Sequence, residues 1–328
     1  MDIQEKDIFI YDGKQVREYT ISNDRISVSI LNIGATITKF IDLGTNNNIV
    51  LNYKDYKEYI NDRHVLGSIV GRNAGRIQNG ILNIDGRDYH LSKNFLDKHQ
   101  LHGGRNGFHK KYFEAIPTED GIKFTAFSED GEEGFPGNVK LEVIYRLEKN
   151  ELHLIYKGVS DQKTLLNFTN HSYFNLNLDS DIPITNHELL LNCDRYLRNN
   201  DEMIPTKTMP VQGTPLDFTK FKLIGTDIKS EFEQIKKTYG FDQPFLINRK
   251  SGINHVAHLQ LSEAHLDVYS DQEAVVVYTG NYLKKRYTGI CFETQGIPNS
   301  PHINEYKTRN LYDRNQTYKQ HTIWVLNK

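Results

Sequence analysis

Lys140-Leu141-Glu142-Val143-Ile144-Tyr145-Arg146-Leu147 and, after a short break, Glu151-Leu152-His153-Leu154-Ile155-Tyr156 place apolar residues at every second position. A period of two is the signature of a strand with one buried face, and two such runs around a short break read as a hairpin. The same pattern recurs outward in both directions. Ile26-Ser27-Val28-Ser29-Ile30-Leu31-Asn32-Ile33 alternates, while Ala274-Val275-Val276-Val277-Tyr278-Thr279 and Gln320-His321-Thr322-Ile323-Trp324-Val325-Leu326 are β-branched and aromatic. Turn pairs punctuate the chain at Asp12-Gly13, Asp85-Gly86, Asp120-Gly121, Asp130-Gly131 and Pro136-Gly137. Helical patterns are few: a short one over 55–60 and a second over 228–239, ending before Gly240. Many strands and little helix must close a barrel or stack two sheets. An all-β chain, folded over 1–328 as one large antiparallel β-sandwich with few short helices, is the expectation. Its site would lie on a concave sheet face or among the loops at the sheet edge.

The totals narrow the function. The 328 residues carry 38% hydrophobic and 11% aromatic side chains, enough for a sizeable core. The formal net charge of -2 and pI of 6.7 supply no basic field for nucleic acid or an anionic membrane. The start, Met1-Asp2-Ile3-Gln4-Glu5-Lys6-Asp7, lacks the apolar core of a signal peptide, and no apolar run approaches the ~20 residues of a membrane helix. A soluble, cytoplasmic protein is expected. Cys193 and Cys291 are then expected as reduced thiols. The Asn-x-Ser/Thr sequons at Asn167, Asn170 and Asn315 carry no glycan in that compartment.

The chemistry concentrates in a handful of segments. Asn167-Phe168-Thr169-Asn170-His171-Ser172-Tyr173-Phe174-Asn175-Leu176 reads as a strand that sets one histidine among amides, hydroxyls and rings. Histidine titrates near pH ~6.5 when unperturbed, so such a residue can give or take a proton at neutral pH. Gln100-Leu101-His102-Gly103-Gly104 puts a second histidine before glycines that permit positive φ and close backbone approach. Glu293 sits in the strand-like Cys291-Phe292-Glu293-Thr294-Gln295, and Asp242 between aromatics in Gly240-Phe241-Asp242-Gln243-Pro244-Phe245. Taken singly, each has a plain structural reading: a packed histidine, a solvated glutamate, a turn aspartate. His99 and His102 form H-x-x-H, but the glycines break any helix there and no further ligand motif accompanies them, so no metal site is expected. Phosphate-loop, dinucleotide and serine-elbow patterns are missing from the sequence. Histidine, carboxylate and arginine remain as the reactive inventory.

Together these segments resemble the aldose 1-epimerases, the galactose mutarotases. Gly71-Arg72-Asn73-Ala74-Gly75-Arg76-Ile77, Leu101-His102-Gly103-Gly104, Asn170 to Leu176, Phe241-Asp242 and Phe292-Glu293-Thr294-Gln295 follow that family's order and approximate spacing. Asp130 to Asn138 and Val277-Tyr278-Thr279-Gly280-Asn281 fit as well, so the likeness runs from about Ile33 to Trp324. It implies a β-sandwich of the galactose mutarotase-like, supersandwich type. The implied activity is interconversion of the α and β anomers of free aldohexoses such as galactose and glucose, without metal or organic cofactor. By position, Glu293 resembles the general base and His171 the general acid, with His102 near the ring oxygen and anomeric end. Arg76 and Asp242 resemble sugar-hydroxyl binders, and Gln295 and Tyr278 resemble pocket wall. The implied partner is the small sugar itself, with no nucleic acid or membrane, in a monomer or a homodimer. One departure is Gly75, where many family members carry asparagine, which bears on sugar preference.

Three rival readings stay open at this level. A hexose-6-phosphate 1-epimerase would want cations around the phosphate, for which Arg72, Arg105, Lys110 and Lys111 are available. A glycoside hydrolase would use Asp242 and Glu293 as its carboxylate pair and leave both histidines idle. A non-catalytic carbohydrate-binding sandwich would need the aromatics alone.

Overall fold

The computed structural model describes residues 1–327; Lys328, the end of the span expected to form one domain, lies outside them. The two opening runs are strands Val139–Glu148 and Glu151–Ser160, paired antiparallel from Val139↔Ser160 to Glu148↔Glu151. They form the middle of a nine-stranded sheet that runs, edge to edge, through 114–117, 121–128, 139–148, 151–160, 317–327, 264–270, 254–261, 188–191 and 222–223. The first 48 residues make a five-stranded sheet of consecutive hairpins, whose first turn is Asp12-Gly13. A second five-stranded sheet orders Pro205–Pro210, Arg195–Asn199, Asp242–Leu246, Ala274–Tyr278 and Cys291–Gln295. All three are antiparallel and open at both edges, so the chain is a stacked-sheet protein, as the alternation predicts.

Aromatic residues join the layers. Trp324 of the nine-stranded sheet stacks on Phe40 of the amino-terminal sheet (6.4 Å between ring centroids) and meets Phe174 edge-on at 4.8 Å. Phe174 in turn lies 6.1 Å from Phe292 of the second five-stranded sheet. Each ring is buried to within 2% of full enclosure, and such burial contributes ~1.5–3 kcal/mol per large side chain. The strand that carries Glu293 is therefore anchored by the ring immediately before it.

Helices are scarce and short. Tyr56–Asn61 is a 3-10 helix whose N-cap, Asp55, accepts from the Lys57 amide, close to the expected 55–60. Of the helix expected over 228–239 only Glu233–Lys236 forms; the other short helix, Ile224–Asp227, precedes that span. Between them Ser230 takes up the Phe232 amide, and Gln234 is pulled inward to exchange hydrogen bonds with the Asn199 backbone. Local helix propensity, worth only tenths of a kcal/mol per residue, is too weak to carry the helix over the rest of the span. The expectation of a continuous strand over 167–176 also needs correction: only Thr169–Asn170 forms a ladder, against Ile69–Val70. Asn170 and Asn175 spend their side chains on backbone groups of other loops instead. Among the described residues no helix is long and apolar enough to cross a membrane. Both cysteines are free and buried, and the sequon residues Asn167 and Asn170 are buried too.

Candidate active site

One face of the second five-stranded sheet is the floor of a pocket of about 420 Å³. Asp242 stands opposite Tyr278, Pro244 opposite Val276, and Val276 opposite Glu293. Because side chains alternate along each strand, all five point the same way. Phe292 and Val277 point into the core. The period of two thus puts two carboxylates and a phenol on one surface, with apolar ballast behind them. A larger cleft of about 580 Å³ exists elsewhere, lined by Asp24, Arg25, Asp42 and Lys149, but it holds no histidine and no buried acid.

His171 hangs over this floor from an irregular loop. Its amide donates to Ser68 O and its carbonyl accepts from Gly67, each at 3.0 Å. Asn170 fixes the loop further by donating to Gly67 O and accepting from Ser172. The His171 Nε2 then lies 3.4 Å from Glu293 Oε1, both residues almost wholly enclosed. Nδ1 faces the Cys291 thiol at 3.6 Å, and Tyr173 and Tyr278 pack around the ring at centroid distances of 5.1 and 6.2 Å.

His102 enters from another side, after the short pairing of Gln100–Leu101 with Arg76–Ile77. Its backbone is left-handed at φ 51°, and Gly103 follows at φ 79° with the Gly71 carbonyl where a Cβ would sit. No other residue fits at 103. The Gly75 amide donates to His102 Nδ1 at 3.3 Å, which leaves the ring hydrogen on Nε2. The His102 and His171 rings meet at right angles, 5.3 Å apart. Arg76, from the strand beside His102, reaches Asp242 at 3.2 Å and lies 4.7 Å over the Phe95 ring, while its Nε is buried without a partner.

Burial dominates the electrostatics. It pushes the Glu293 carboxyl up to about 8; Asp242 adds repulsion and Arg76 opposes both. It pushes His171 down to about 4, although Asp62 and Asp242 pull the other way. His102 is driven well below its ordinary value by burial first, then by His171 and Arg76, so its neutral form prevails. Burial therefore favours the uncharged pair between about pH 4 and 8, with the shared proton on the carboxyl. Glu293 Oε2 is buried with no partner. A buried carboxyl oxygen left idle beside an imidazole is a proton site awaiting a ligand hydroxyl.

This geometry has close relatives. The aldose 1-epimerase family model matches residues 17–324. The chain belongs to that family. It is 32% identical to the galactose mutarotase of Rattus norvegicus over 95% of this chain and 94% of the relative. The aldose 1-epimerase of Escherichia coli K12 is 30% identical, with 90% of each covered. The crystal structure of galactose 1-epimerase from Lactobacillus acidophilus NCFM superposes with a TM-score of 0.90 at 30% identity, covering 99% of this chain and 98% of that one. Membership makes the protein an isomerase acting on carbohydrates, with the galactose mutarotase-like sandwich that the resemblance implied.

Against this family background the residues singled out in sequence divide. Glu293, His171, His102, Arg76, Asp242 and Tyr278 all line the one pocket. Gln295 does not: it follows Glu293 on the same side of the strand but is fully buried behind Gly75, with both amide atoms unpartnered. The four cations available to a sugar phosphate lie elsewhere. Arg72 is spent on buried oxygens, Lys111 pairs with Glu132 at 2.5 Å, Lys110 and Arg105 donate to the Ile60 and Lys93 carbonyls, and none lines the pocket. His99 turns away from His102 toward Asn79 and Glu202. Sequence reasoning missed the rim formed by Arg63, His64, Phe95, Met203 and Tyr282. Only Tyr282 had a local signal, one residue past the Val277 to Asn281 motif; the others come from loops with no chemical pattern.

Proposed function

We propose that this pocket interconverts the α and β anomers of a free aldohexose by opening and reclosing its ring, the chain acting as a single unit. The observation that carries the reading is the enclosed 3.4 Å contact between His171 Nε2 and Glu293 Oε1, on the floor of a pocket that also presents Arg76 and Asp242. Opening a hemiacetal needs a base at the C1 hydroxyl and an acid at the ring oxygen. Closing it on the other carbonyl face needs the same groups with roles reversed, so one shared proton suffices for the cycle.

Burial keeps that proton on Glu293, whereas ring opening begins with a carboxylate. A sugar supplies the difference. Its C1 hydroxyl donating to the idle Oε2 favours the ionised carboxyl, and the proton passes to His171 across the existing contact. His171 then stands beside a new anion and becomes the acid aimed at the ring oxygen. His102, neutral with its hydrogen on Nε2, donates toward the oxygen that gains charge at the anomeric end. Arg76 and Asp242 bind hydroxyls on the far side of the ring, and Tyr278 with Tyr173 gives apolar wall. Arg72, Arg105, Lys110 and Lys111, the cations available for a phosphate, all lie outside the pocket, which favours the unphosphorylated sugar.

Gly75 bears on which sugar is preferred. Its φ is +74° and a Cβ there would stand 3.2 Å from Pro298 Cβ, so a side chain at 75 would crowd Pro298 and strain the backbone. Polarimetry of freshly dissolved α-D-galactose and α-D-glucose, with and without the protein, tests the proposal. Faster approach to the equilibrium rotation with at least one sugar is expected, and an unchanged rate with both overturns it.

A further inference from the structure

The outward face of the nine-stranded sheet carries a second convergence of ligand-type side chains, in the hairpin of Asn254–Leu261 and Ala264–Ser270. Residues three apart on a regular strand face opposite sides, so the H-x-x-H of His255-Val256-Ala257-His258 should be split by the sheet. The register slips here: His255 stands opposite Tyr269, and Ala257 opposite Val268. This bulge at Val256 inserts one extra residue and turns both imidazoles to the same face. Val256, Ala257 and Leu259 are buried behind them, while His255 and His258 are half-buried.

Asp267 is the residue directly across from His258, on that same face. His255 Nε2 lies 2.9 Å and His258 Nδ1 2.8 Å from the same oxygen, Asp267 Oδ1. The three ligand atoms all fall within 4.8 Å of one another. A single histidine would satisfy a half-buried aspartate; here two meet at one point. His265 stacks on His258 with 5.0 Å between centroids and braces that ring.

We infer that His255, His258 and Asp267 form a binding site for a divalent transition ion of the zinc class, separate from the sugar pocket. Two imidazoles and a carboxylate are ligands that Zn²⁺ and Co²⁺ accept, with an open position for water. The edge of a tetrahedron with ~2.0 Å bonds is roughly 3.3 Å, so the present contacts need open by only a few tenths of an ångström. The two ring hydrogens now shared with Asp267 shift to the other ring nitrogens when the ion enters, so neutral imidazoles ligate without losing a proton.

His102, His171 and Glu293 in the sugar pocket also lie within 4.8 Å of one another, so the test must separate the two places. Chelator-treated full-length protein is titrated with Co²⁺ followed by visible absorption, and with Zn²⁺ followed by calorimetry. One equivalent should bind with a tetrahedral or five-coordinate cobalt spectrum. His258→Gln and Asp267→Asn should each weaken it at least ~100-fold, more than the 10–100-fold typical of outer-shell partners, while His171→Asn binds as the parent does. The mutarotation rate should be the same with and without that equivalent of metal. Should Asp267→Asn fail to fold, His255→Gln and His258→Gln carry the test alone. No binding by the parent, or parent-like binding by both histidine variants, overturns the inference. So does loss of binding in His171→Asn, which would place the ion in the sugar pocket.

Discussion

Arg72 and Arg76 belong to one glycine-rich loop and finish in opposite states. Arg72 is 2% exposed and donates to Ser128 Oγ and to the Ser128, Glu129 and Pro136 carbonyls, with the Phe135 ring 5.8 Å away. Burial pushes its guanidinium down to about 10, against the pull of Glu132 and Asp130, yet its donors have found acceptors. Arg76 keeps a buried Nε with nothing to bind and shares only Asp242. The difference separates two kinds of buried polar group. The satisfied ones, Arg72, Asn170 and Asn175, tie loops together. Among the unsatisfied ones, Arg76 Nε and Glu293 Oε2 lie in the pocket, where a ligand can complete the hydrogen bonding and offset a cost of ~1–3 kcal/mol per atom, whereas Gln295 is unsatisfied outside it.

The sharpest way to break this division is at Glu293. Glu293→Gln or His171→Asn should lower turnover at least ~100-fold with the fold retained, read from polarimetric progress curves and circular dichroism. Near-parental turnover by Glu293→Gln would remove the proton pair from the mechanism. Arg72 should behave in the opposite manner. Arg72→Ala strands several buried oxygens and should cost about 2–3 kcal/mol, seen as a lower urea midpoint, while the Michaelis constant of the folded fraction stays put. A changed Michaelis constant with intact stability would mean that Arg72 serves the ligand after all.

Arg76→Ala should raise the Michaelis constant about tenfold, the value of one charge-assisted hydrogen bond. A smaller loss in turnover should accompany it, because Arg76 also holds the Glu293 carboxyl down. A turnover defect with unchanged binding would contradict the assignment. A further effect is on stability against pH. The folded value for Glu293, about 8, exceeds its ordinary 4.5, so its contribution is full below pH 4.5 and is lost as pH rises through 8. His171 is displaced the other way, to about 4, and weighs on stability only as pH falls below 6.5. The melting temperature of Glu293→Gln minus that of the parent should therefore grow from pH 5.5 to 8.5. A constant difference would show that Glu293 is not held protonated.

The division also explains what could be read in advance. The alternating runs 26–33, 140–147 and 151–156 and the β-branched, aromatic runs 274–279 and 320–326 all fall on strands of the structure, because both signals depend on local residues alone. Alternation placed Glu293 and Gln295 on one side of their strand, but not which would meet open space. Gln295 fell behind Gly75, a fact fixed by a loop more than two hundred residues earlier in the chain. Of the helix expected over 228–239 only Glu233–Lys236 forms, and Gln234 within it is tied to the distant Asn199 backbone by bonds no local pattern announces.

By itself, then, the order of residues determined the all-β class, the alternation of faces along each strand and the side-chain chemistry on offer. Those follow from local stereochemistry and from motifs that survive as contiguous runs. Tertiary structure alone decided that His171, His102 and Glu293 share one enclosure, that Arg72 is spent and Arg76 is not, and that a bulge swings His255 and His258 to one face. Each of these depends on whether a polar atom finds a partner from a distant segment. That is a matter of three-dimensional satisfaction, which no spacing along the chain encodes.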